Sequence, residues 1–287
     1  MTTASGPAAP RTVLVTGSTD GIGKETAVKL AETGFRVLVH GRSPERASAA
    51  AADVKKRAPG ASVEALDADL ATRDGVRRLA RLVLERTDRL DVLVNNAGVF
   101  RTERRATRDG LEETFAVNHL APFLLTHLLV PLLERSAPSR VVGVSSIAHQ
   151  SARPVLSDLQ HEKRYDGYSA YALSKLGNVL FTIELARRLD GRGVTANVLH
   201  PGVITTKLLR EGFGMGGAPL SSGARTSFYL AASPEVEGVT GRYFVNDKEA
   251  SPSPVARDER LRKAFWTVSE ELSRLLPEER LPDPDAA

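Results

Sequence analysis

Short apolar segments rich in β-branched residues alternate with helical patterns along most of the chain, and this alternation constrains the fold more than any other feature. The strand-like segments are TVLVTG (12–17), RVLVHG (36–41), SVEALDADL (62–70), DVLVNNAG (91–98), RVVGVSS (140–146), residues 193–199 and GRYFVND (241–247). The helical patterns run through Ala27, Leu30 and Ala31 to a stop at Gly34, and then over 45–57, 74–87, about 111–133 and 171–190. Strands that are apolar on both faces and separated by helices are typical of a parallel sheet with helices on both sides. We therefore expect an α/β protein with a doubly wound parallel sheet of about seven strands.

The domain organisation follows from the length and from the absence of linkers. The chain has 287 residues, which suits one large α/β domain or two small ones. It contains no low-complexity linker and no internal repeat, so we predict a single domain over 11–275. Residues 1–10 are predicted to be a disordered N-terminal tail, and 276–287 a C-terminal tail.

The charge pattern does not favour a nucleic-acid partner. Lysine plus arginine exceed aspartate plus glutamate by 39 − 35 = +4, but these charges are scattered along the chain. The densest basic run, RTERRATR (101–108), has no interleaved aromatic residues and contains Glu103. We interpret it as a solvated loop, with a polyanion site as the alternative.

Cysteine is absent, which excludes disulfides, thiolate metal sites and a cysteine nucleophile. No window approaches 18 uninterrupted apolar residues, and the N-terminus lacks the apolar core of a signal peptide. We therefore expect a cytoplasmic protein with no membrane partner.

A glycine-rich turn, TGSTDGIG (16–23), joins the first predicted strand to the first helix. Gly17, Gly21 and Gly23 have no Cβ atoms, so a pyrophosphate can approach the backbone at the helix N-terminus, where free N–H groups favour an anion. The spacing is G-x-x-x-G-x-G rather than the general dinucleotide pattern G-x-G-x-x-G. The turn indicates a nucleotide site, and a simple tight turn is the alternative.

The segment YSAYALSK (168–175) places a phenol and an ammonium on one helix face. Tyr171 and Lys175 are four residues apart and therefore lie one turn apart on the same side. A nearby ammonium lowers the pKa of a phenol towards the range in which it can exchange a proton. Tyr168 has no lysine four residues later, so we expect it to form the pocket wall or to pack. An ordinary surface pair is the alternative for Tyr171 and Lys175.

Several motifs in order resemble the short-chain dehydrogenase/reductase family. They are TGSTDGIG (16–23), NNAG (95–98), the asparagine of VNHL (117–120), VSS (144–146), the Y-x-x-x-K motif at 171–175 and PG (201–202). GIGKETA (21–27), VNHLAPFLLTHLL (117–129), VSSIAH (144–149), DLQHEKRY (158–165) and HPGV (200–203) are similar to the retinol-dehydrogenase-like branch. The resemblance, from about residue 11 to about 275, implies a Rossmann-type fold and hydride transfer between a nicotinamide cofactor and a ketone or aldehyde.

By this resemblance the catalytic residues are Asn118, Ser146, Tyr171 and Lys175. Tyr171 would be the acid in carbonyl reduction and the base in alcohol oxidation, and Lys175 would also hydrogen-bond the nicotinamide ribose. Ser146 would orient the carbonyl oxygen, and Ser145 competes for that role. Asn118 would hold a water molecule linking Lys175 to solvent, and a satisfied buried amide is its alternative.

The resemblance also implies a set of cofactor-binding residues, which Tyr171 and Lys175 join. Asp69 has helix capping as an alternative role. The set consists of Gly17, Ser18, Asp20, Gly21, Ile22 and Gly23 in the glycine turn, Asp69 and Leu70 at adenine, Asn95, Ala97 and Gly98 at the adenosine and ribose, and Pro201, Gly202, Ile204 and Thr205 at the nicotinamide carboxamide.

The end of the second predicted strand favours NADP(H) over NAD(H). NAD-preferring enzymes place an acidic residue about ~20 residues past the glycine turn, to bind the ribose 2′-hydroxyl. Here Gly41 takes that place and Arg42 and Ser43 follow. A guanidinium suits a 2′-phosphate, and a solvated loop arginine is the alternative.

The substrate side is less constrained. The segment between Ser146 and Tyr171 is predicted to form one pocket wall, and 210–223, with five glycines, a mobile substrate lid or else an inert loop. Because the chain begins without the apolar anchor of many retinoid-binding relatives, we expect a soluble carbonyl or alcohol as substrate. The histidines are dispersed, so no metal site is expected, and His149 is interpreted as a loop residue.

Two other functions remain as alternatives: a non-catalytic nucleotide-sensing protein on the same fold, and a sugar-nucleotide epimerase or dehydratase. The intact catalytic motifs speak against the first. The short segment of about 85 residues after HPG speaks against the second, because such enzymes carry a larger C-terminal substrate domain. A homodimer and a homotetramer are both compatible with the sequence.

Overall fold

The structure, a computed structural model, describes residues 10–285 and contains one eight-stranded sheet in the order β3-β2-β1-β4-β5-β6-β7-β8. Strands β1 to β7 are parallel, and β8 pairs antiparallel with β7. The doubly wound α/β prediction is confirmed, with one strand more than expected. The strands are β1 Thr12–Val15, β2 Arg36–Gly41, β3 Val63–Asp67, β4 Val92–Asn95, β5 Ser139–Val144, β6 Val194–His200, β7 Tyr243–Val245 and β8 Lys248–Ala250.

Helices cover both faces of the sheet. Helices α1, α2 and α8 bury their apolar sides against one face, and α3, α5, α6 and α9 pack on the other. The helices are α1 Gly21–Glu32, α2 Pro44–Arg57, α3 Arg73–Arg86, α4 Glu113–Phe115, α5 Ala121–Arg135, α6 Gly167–Arg188, α7 Lys207–Phe213, α8 Leu220–Ala232 and α9 Glu259–Ser273.

The central strands owe their stability to burial on both faces. All four residues of β1 and all four of β4 are buried. Each fully buried valine or leucine contributes about 1.5–3 kcal/mol relative to an exposed one. After β3 at one edge, the chain returns to the middle of the sheet and continues with β4 beside β1, so the two halves of the sheet meet between β1 and β4. Open α/β sheets bind ligands at this switch point, beyond the carboxyl ends of the strands.

The predicted helix over about 111–133 forms with one irregularity. It runs from Glu113 to Arg135, but residues Ala116–Leu120 between α4 and α5 adopt a π-helix. A π-turn inserts one residue into the helical repeat and often marks a functional site. This segment is long and apolar enough to cross a membrane, but 89% of its most apolar window lies inside the protein, where it packs in the core.

The structure covers most of the predicted C-terminal tail but only the last residue of the predicted N-terminal tail. Residues 1–9 of the predicted N-terminal tail lie outside the described residues. The C-terminal segment contacts the body of the protein: Arg77 binds the carboxylate of Glu279, and Arg187 binds Asp283 at 2.6 Å. Residues 276–285 therefore lie against the domain.

Candidate active site

A cleft of about 750 Å³ opens above the carboxyl ends of β1, β2, β4, β5 and β6. Most of the predicted site residues line it. They are Gly17, Asp20, Gly21, Ile22, Gly23, Arg42, Asp69, Leu70, Ala97, Gly98, Ser146, Tyr171, Lys175, Pro201, Gly202 and Ile204. The strands and helix starts of the parallel sheet thus bring together groups that are up to 187 residues apart in the chain.

The glycine turn forms a close-fitting backbone cradle. Gly17 and Gly21 have φ of 62° and 58°, in the left-handed region that favours glycine. An added Cβ at Gly23 would lie 2.6 Å from the carbonyl oxygen of Gly17. Asp20 caps the start of α1. The cradle therefore fits a pyrophosphate held against backbone N–H groups, as a dinucleotide cofactor requires.

A buried histidine supports this cradle from the second strand. The backbone N–H of Gly17 donates to Nδ1 of His40 at 3.1 Å. With Nδ1 as acceptor, Nε2 carries the proton and donates to the carbonyl oxygen of Ala68 at 3.1 Å. Burial lowers the pKa of His40 to about 4, so the ring is neutral at pH 7.

Helix α6 places Tyr171 and Lys175 on the cleft wall, as the four-residue spacing predicts. Both side chains are buried, and Nζ of Lys175 lies 5.6 Å from the centre of the Tyr171 ring. Nζ donates to the carbonyl oxygen of Val144 at 3.1 Å. Burial lowers the pKa of Lys175 to about 8, which leaves the amine mainly protonated at pH 7.

The expected direction of the tyrosine pKa is wrong for this structure. Burial raises the pKa of Tyr171 to about 12, although the nearby Ser146 hydroxyl opposes the shift. The sequence shows the spacing of Tyr171 and Lys175 but not how deeply the phenol is covered. A phenol with a raised pKa keeps its proton at neutral pH, so Tyr171 is a hydrogen-bond donor to the cleft.

The two serines after β5 have different environments. Ser145 is buried and donates from Oγ to the carbonyl oxygen of Lys175 at 2.7 Å. Ser146 lines the cleft, and its Oγ accepts from the N–H of Ala148 at 3.2 Å. Because that bond uses Oγ as an acceptor, the hydroxyl proton of Ser146 remains available to a ligand.

Asn118 lies beneath the cleft wall in the π-helix. Its amide binds the backbone of Val99 in both directions, accepting from N–H at 2.7 Å and donating to the carbonyl at 2.9 Å. It also donates to Ser174 at 3.0 Å. Both polar atoms of the side chain have protein partners, which matches the satisfied-amide alternative; Asn118 holds the loop after β4 in place.

Four predicted cofactor residues turn away from the cleft. Ser18 donates to the carbonyl of Val15, Asn95 donates to Thr126 on α5, and Ser43 caps α2. Thr205 exchanges two hydrogen bonds with the backbone of Gly217. Their side chains hold the walls of the site.

Neighbouring residues that the sequence analysis missed take the lining positions. Asn96 follows Asn95 and donates from Nδ2 to the carbonyls of Thr16 and Gly17. Thr206 follows Thr205 and caps α7. Side chains alternate along extended chain, so only one residue of each pair can face the cleft, but the sequence does not show which.

The loops after β2 and β3 form one end of the cleft. Arg42 and Arg46 line this end and are exposed, and Gly41 stands at the end of β2 where NAD-preferring enzymes place an acidic residue. Asp69 accepts from the N–H of Ala71 at 3.1 Å and does not cap α3, because Thr72 does so. Arg105 of the basic run 101–108 also lines the cleft.

The other end of the cleft is aromatic. Phe213 on α7 packs against Phe100, Tyr171 and Tyr168, with ring centres 4.5, 5.8 and 6.1 Å apart. A Cβ at Gly212 would lie 2.6 Å from the Phe100 ring. Tyr168 is 45% exposed and forms part of the wall, as predicted. The glycine-rich segment 210–223 contains the end of α7 and the start of α8.

No group of three or more potential metal ligands (His, Asp or Glu) occurs within residues 10–285. Together, the doubly wound sheet, the glycine cradle and the Tyr171–Lys175 pair define an oxidoreductase with a nicotinamide cofactor. The cofactor would rest on the glycine turn and the ends of β2 to β6.

Comparison with known proteins identifies the family. A family model described as short chain dehydrogenase matches residues 11–213. Retinol dehydrogenase 14 of Mus musculus is 43% identical over 290 residues, covering 93% of this chain and 86% of the mouse protein. Retinol dehydrogenase 13 of Homo sapiens is 42% identical, with 91% and 84% covered. The chain belongs to the short-chain dehydrogenase/reductase family and to its retinol-dehydrogenase-like branch.

Solved structures show the same fold. An uncharacterized protein from Mycobacterium Paratuberculosis is 33% identical, with a TM-score of 0.78 and 96% of each chain covered. The RhlG/NADP active-site complex of Pseudomonas aeruginosa is 29% identical, with a TM-score of 0.69, and covers 83% of this chain and 94% of that one.

Proposed function

We propose that this protein is an NADP(H)-dependent oxidoreductase that interconverts a ketone or aldehyde with an alcohol, with Tyr171 as the acid/base. The observation that carries the proposal is the presence of Ser146, Tyr171 and Lys175 on one wall of a cleft whose floor is the glycine cradle. Two hydroxyl donors at this place can hold one carbonyl oxygen, and the lysine lies beside the phenol.

In the reducing direction the Tyr171 hydroxyl gives its proton to the substrate oxygen. The Ser146 hydroxyl donates to the same oxygen and holds the carbonyl in position, since its Oγ accepts from Ala148 and leaves the proton free. The phenolate that remains on Tyr171 is stabilised by the Lys175 ammonium and regains a proton from solvent. The nicotinamide cofactor, when bound, supplies the hydride. Positioned proton transfer of this kind typically contributes 10²–10⁴-fold to a rate.

NADP(H) as the cofactor is supported by the charges at the β2 end of the cleft. Arg42 and Arg46 face this end, and a guanidinium can bind a phosphate through two parallel hydrogen bonds. Two similar solved proteins are described with NADP, the RhlG complex and a protein from Beutenbergia cavernae described as an NAD(P) dependent gluconate 5-dehydrogenase with bound NADP at low occupancy.

The substrate class is proposed from the aromatic wall. Phe100 and Phe213 pack against the Tyr171 ring, and Tyr168 packs against Phe213, so an apolar group next to the carbonyl would be buried on binding. The relatives named retinol dehydrogenase make retinal one member of the compounds to be tested. A cytoplasmic location is part of the same proposal.

The decisive experiment is a screen of aldehydes and ketones, including retinal, for substrate-dependent oxidation of NADPH. Tyr171→Phe keeps the ring and removes the proton, and should lower turnover by roughly 10²-fold or more while NADPH binding is retained. Tyr168→Phe is the matched control, because among the described residues the Tyr168 hydroxyl has a hydrogen bond only with Ser151.

Two results would contradict the proposal. A wild-type protein that binds NADPH and oxidises it with none of the carbonyl compounds would favour the nucleotide-sensing alternative. Loss of activity in Tyr168→Phe together with an active Tyr171→Phe would show that Tyr168, not Tyr171, is the acid.

A further inference from the structure

Two histidines outside the proposed catalytic set bind the backbone of the turn that carries Ser146. This turn begins at Ser146 and continues through the 3₁₀-helix Ile147–Ser151. Both histidines are buried: His149 lies within the turn and joins it to Ser253 on one side, and His200 joins it to strand β6 on the other. Their hydrogen bonds define which ring nitrogen carries the proton in each.

His149 connects the turn to the C-terminal part of the chain. Its Nε2 accepts from the backbone N–H of Ser253 at 3.1 Å, so Nε2 carries no proton. The proton is therefore on Nδ1, which donates to the carbonyl oxygen of Ser146 at 2.7 Å. The ring packs against Tyr243, with centres 5.0 Å apart.

His200 binds the next peptide of the same turn from strand β6. Its Nδ1 accepts from the N–H of Ile147 at 3.2 Å, so Nε2 carries the proton. Strand β6 is already joined to this segment, because the N–H of Ser145 donates to the carbonyl of Leu199 at 2.7 Å. Burial lowers the pKa of both histidines, that of His200 to about 4, and each ring is neutral at pH 7.

The Ser146 side chain depends on this turn for its orientation. Ser146 is the residue that caps the 3₁₀-helix, with extended φ and ψ, and its Oγ is held by the N–H of Ala148. A shift of the Ser146 carbonyl or of the Ile147 amide would rotate the hydroxyl relative to Tyr171. Displacements of about 1 Å at a catalytic group can cost on the order of 10²-fold in rate.

We propose that His149 and His200 are positioning residues that hold the Ser146 turn from two sides and thereby aim its hydroxyl at the substrate oxygen. The role in turnover rests on the proposed function. The hydrogen bonds themselves do not, and they are testable in the protein without substrate.

The test for turnover uses amide side chains that replace one ring nitrogen at a time. In His149→Asn the amide nitrogen is bonded to Cγ, as Nδ1 is, and can still donate to Ser146. In His149→Gln the amide lies one atom further out and reaches only the Ser253 side. We expect kcat of the Asn variant within about threefold of wild type and that of the Gln variant lower by roughly tenfold or more, with an unchanged Kd for NADPH.

The same logic applies to His200. Asparagine offers an acceptor oxygen on Cγ to the Ile147 N–H, and leucine offers none, so His200→Asn should restore most of the kcat that His200→Leu loses. Melting temperatures are measured for all four variants. If kcat follows the melting temperature irrespective of which nitrogen is replaced, or if the Gln and Leu variants turn over like wild type, the proposal is overturned.

A second measurement is independent of catalysis. Nitrogen-15 NMR of the imidazoles at pH 7 should show His149 protonated on Nδ1 and His200 on Nε2, both neutral. The opposite tautomer or a cationic ring at either position overturns the proposal, even if the protein turns over no carbonyl compound. The expected tautomers in an inactive protein would leave the two-sided support in place and remove only the proposed reaction.

Discussion

Replacement of Arg42 by alanine tests the proposed preference for NADP(H) over NAD(H). Arg42 follows β2 and lines the cleft, and within residues 10–285 its side chain makes no hydrogen bond or ion pair. The guanidinium can therefore take a new hydrogen-bond partner, although the carboxylate of Glu113, which lines the same cleft, interacts with it electrostatically. We expect wild type to bind NADPH at least about tenfold more tightly than NADH, and the variant to lose most of this difference.

The magnitude follows from the exposure of the side chain. A hydrogen bond to a charged group contributes ~1.5–3 kcal/mol, which corresponds to roughly tenfold to a hundredfold in affinity. Arg42 is exposed, so solvent and salt screen its charge and favour the lower part of this range. Binding of NADH, which has a 2′-hydroxyl in place of the phosphate, should change little.

The assay is the dissociation constant of each reduced cofactor at one fixed ionic strength, for wild type and variant. Arg81→Ala is the matched control, because it removes the same charge from an exposed site on α3 that does not line the cleft. Equal affinities of wild type for the two cofactors would refute the reasoning. An unchanged ratio in Arg42→Ala, or an equal change in Arg81→Ala, would assign the preference to another group.

Three further outcomes are expected. Gly23→Ala should weaken NADPH binding by roughly tenfold or more, because the added Cβ would lie 2.6 Å from the Gly17 carbonyl oxygen. Gly216→Ala, with open space around its Cβ, should bind NADPH as wild type does. Equal NADPH affinities of the two variants would contradict this prediction. Amide hydrogen exchange in 210–223 should be faster than in α5 and α6 for the free protein and slower after addition of NADPH and substrate, and strong protection in both states would exclude a lid. The free energy of unfolding should fall as the pH drops from about 6.5 towards 4, because the unfolded chain takes up protons that the buried histidines of the folded protein exclude. At pH 5 the loss is on the order of 1–2 kcal/mol per buried histidine. A constant melting temperature between pH 7 and 5 would contradict this prediction. The histidines concerned, with pKa lowered to about 3 or 4, are His40, His119, His127 and His200.

The parts of the fold that the sequence predicts are those with a strong local signal. Seven strands and the helices α1, α2, α3, α5 and α6 follow from apolar runs and helical periodicity, whereas α7, α8 and α9 were not predicted. Strand β8 is only Lys248–Ala250, with two charged residues, and carries no apolar signal. The turn before β8 does carry a sequence signal, because Asn and Asp are favoured in hairpin turns. In the structure Asn246 and Asp247 have positive φ of 51° and 63°.

The site divides in the same way. Motif spacing predicts many of the groups that line the cleft, among them Tyr171, Lys175, Ser146 and the three glycines of the glycine turn. The direction of a pKa shift is not a local property. The Tyr171 ring is covered by Phe100 and Phe213, which arrive from distant parts of the chain, so its burial and its raised pKa emerge only in the folded protein.

The contacts that hold the Ser146 turn in place are the feature of the site that the sequence motifs show least. The N–H that fixes the His149 tautomer belongs to Ser253, 104 residues away, and the ring beside His149 belongs to Tyr243 on β7. Both lie beyond residues 11–213, which match the family model. Every residue except proline has a backbone N–H group, so the residue type does not show which one binds His149, and no motif could have predicted this contact. In the proposed arrangement Tyr243 and Ser253, which supply none of the proposed catalytic groups, therefore help to hold the Ser146 turn through His149.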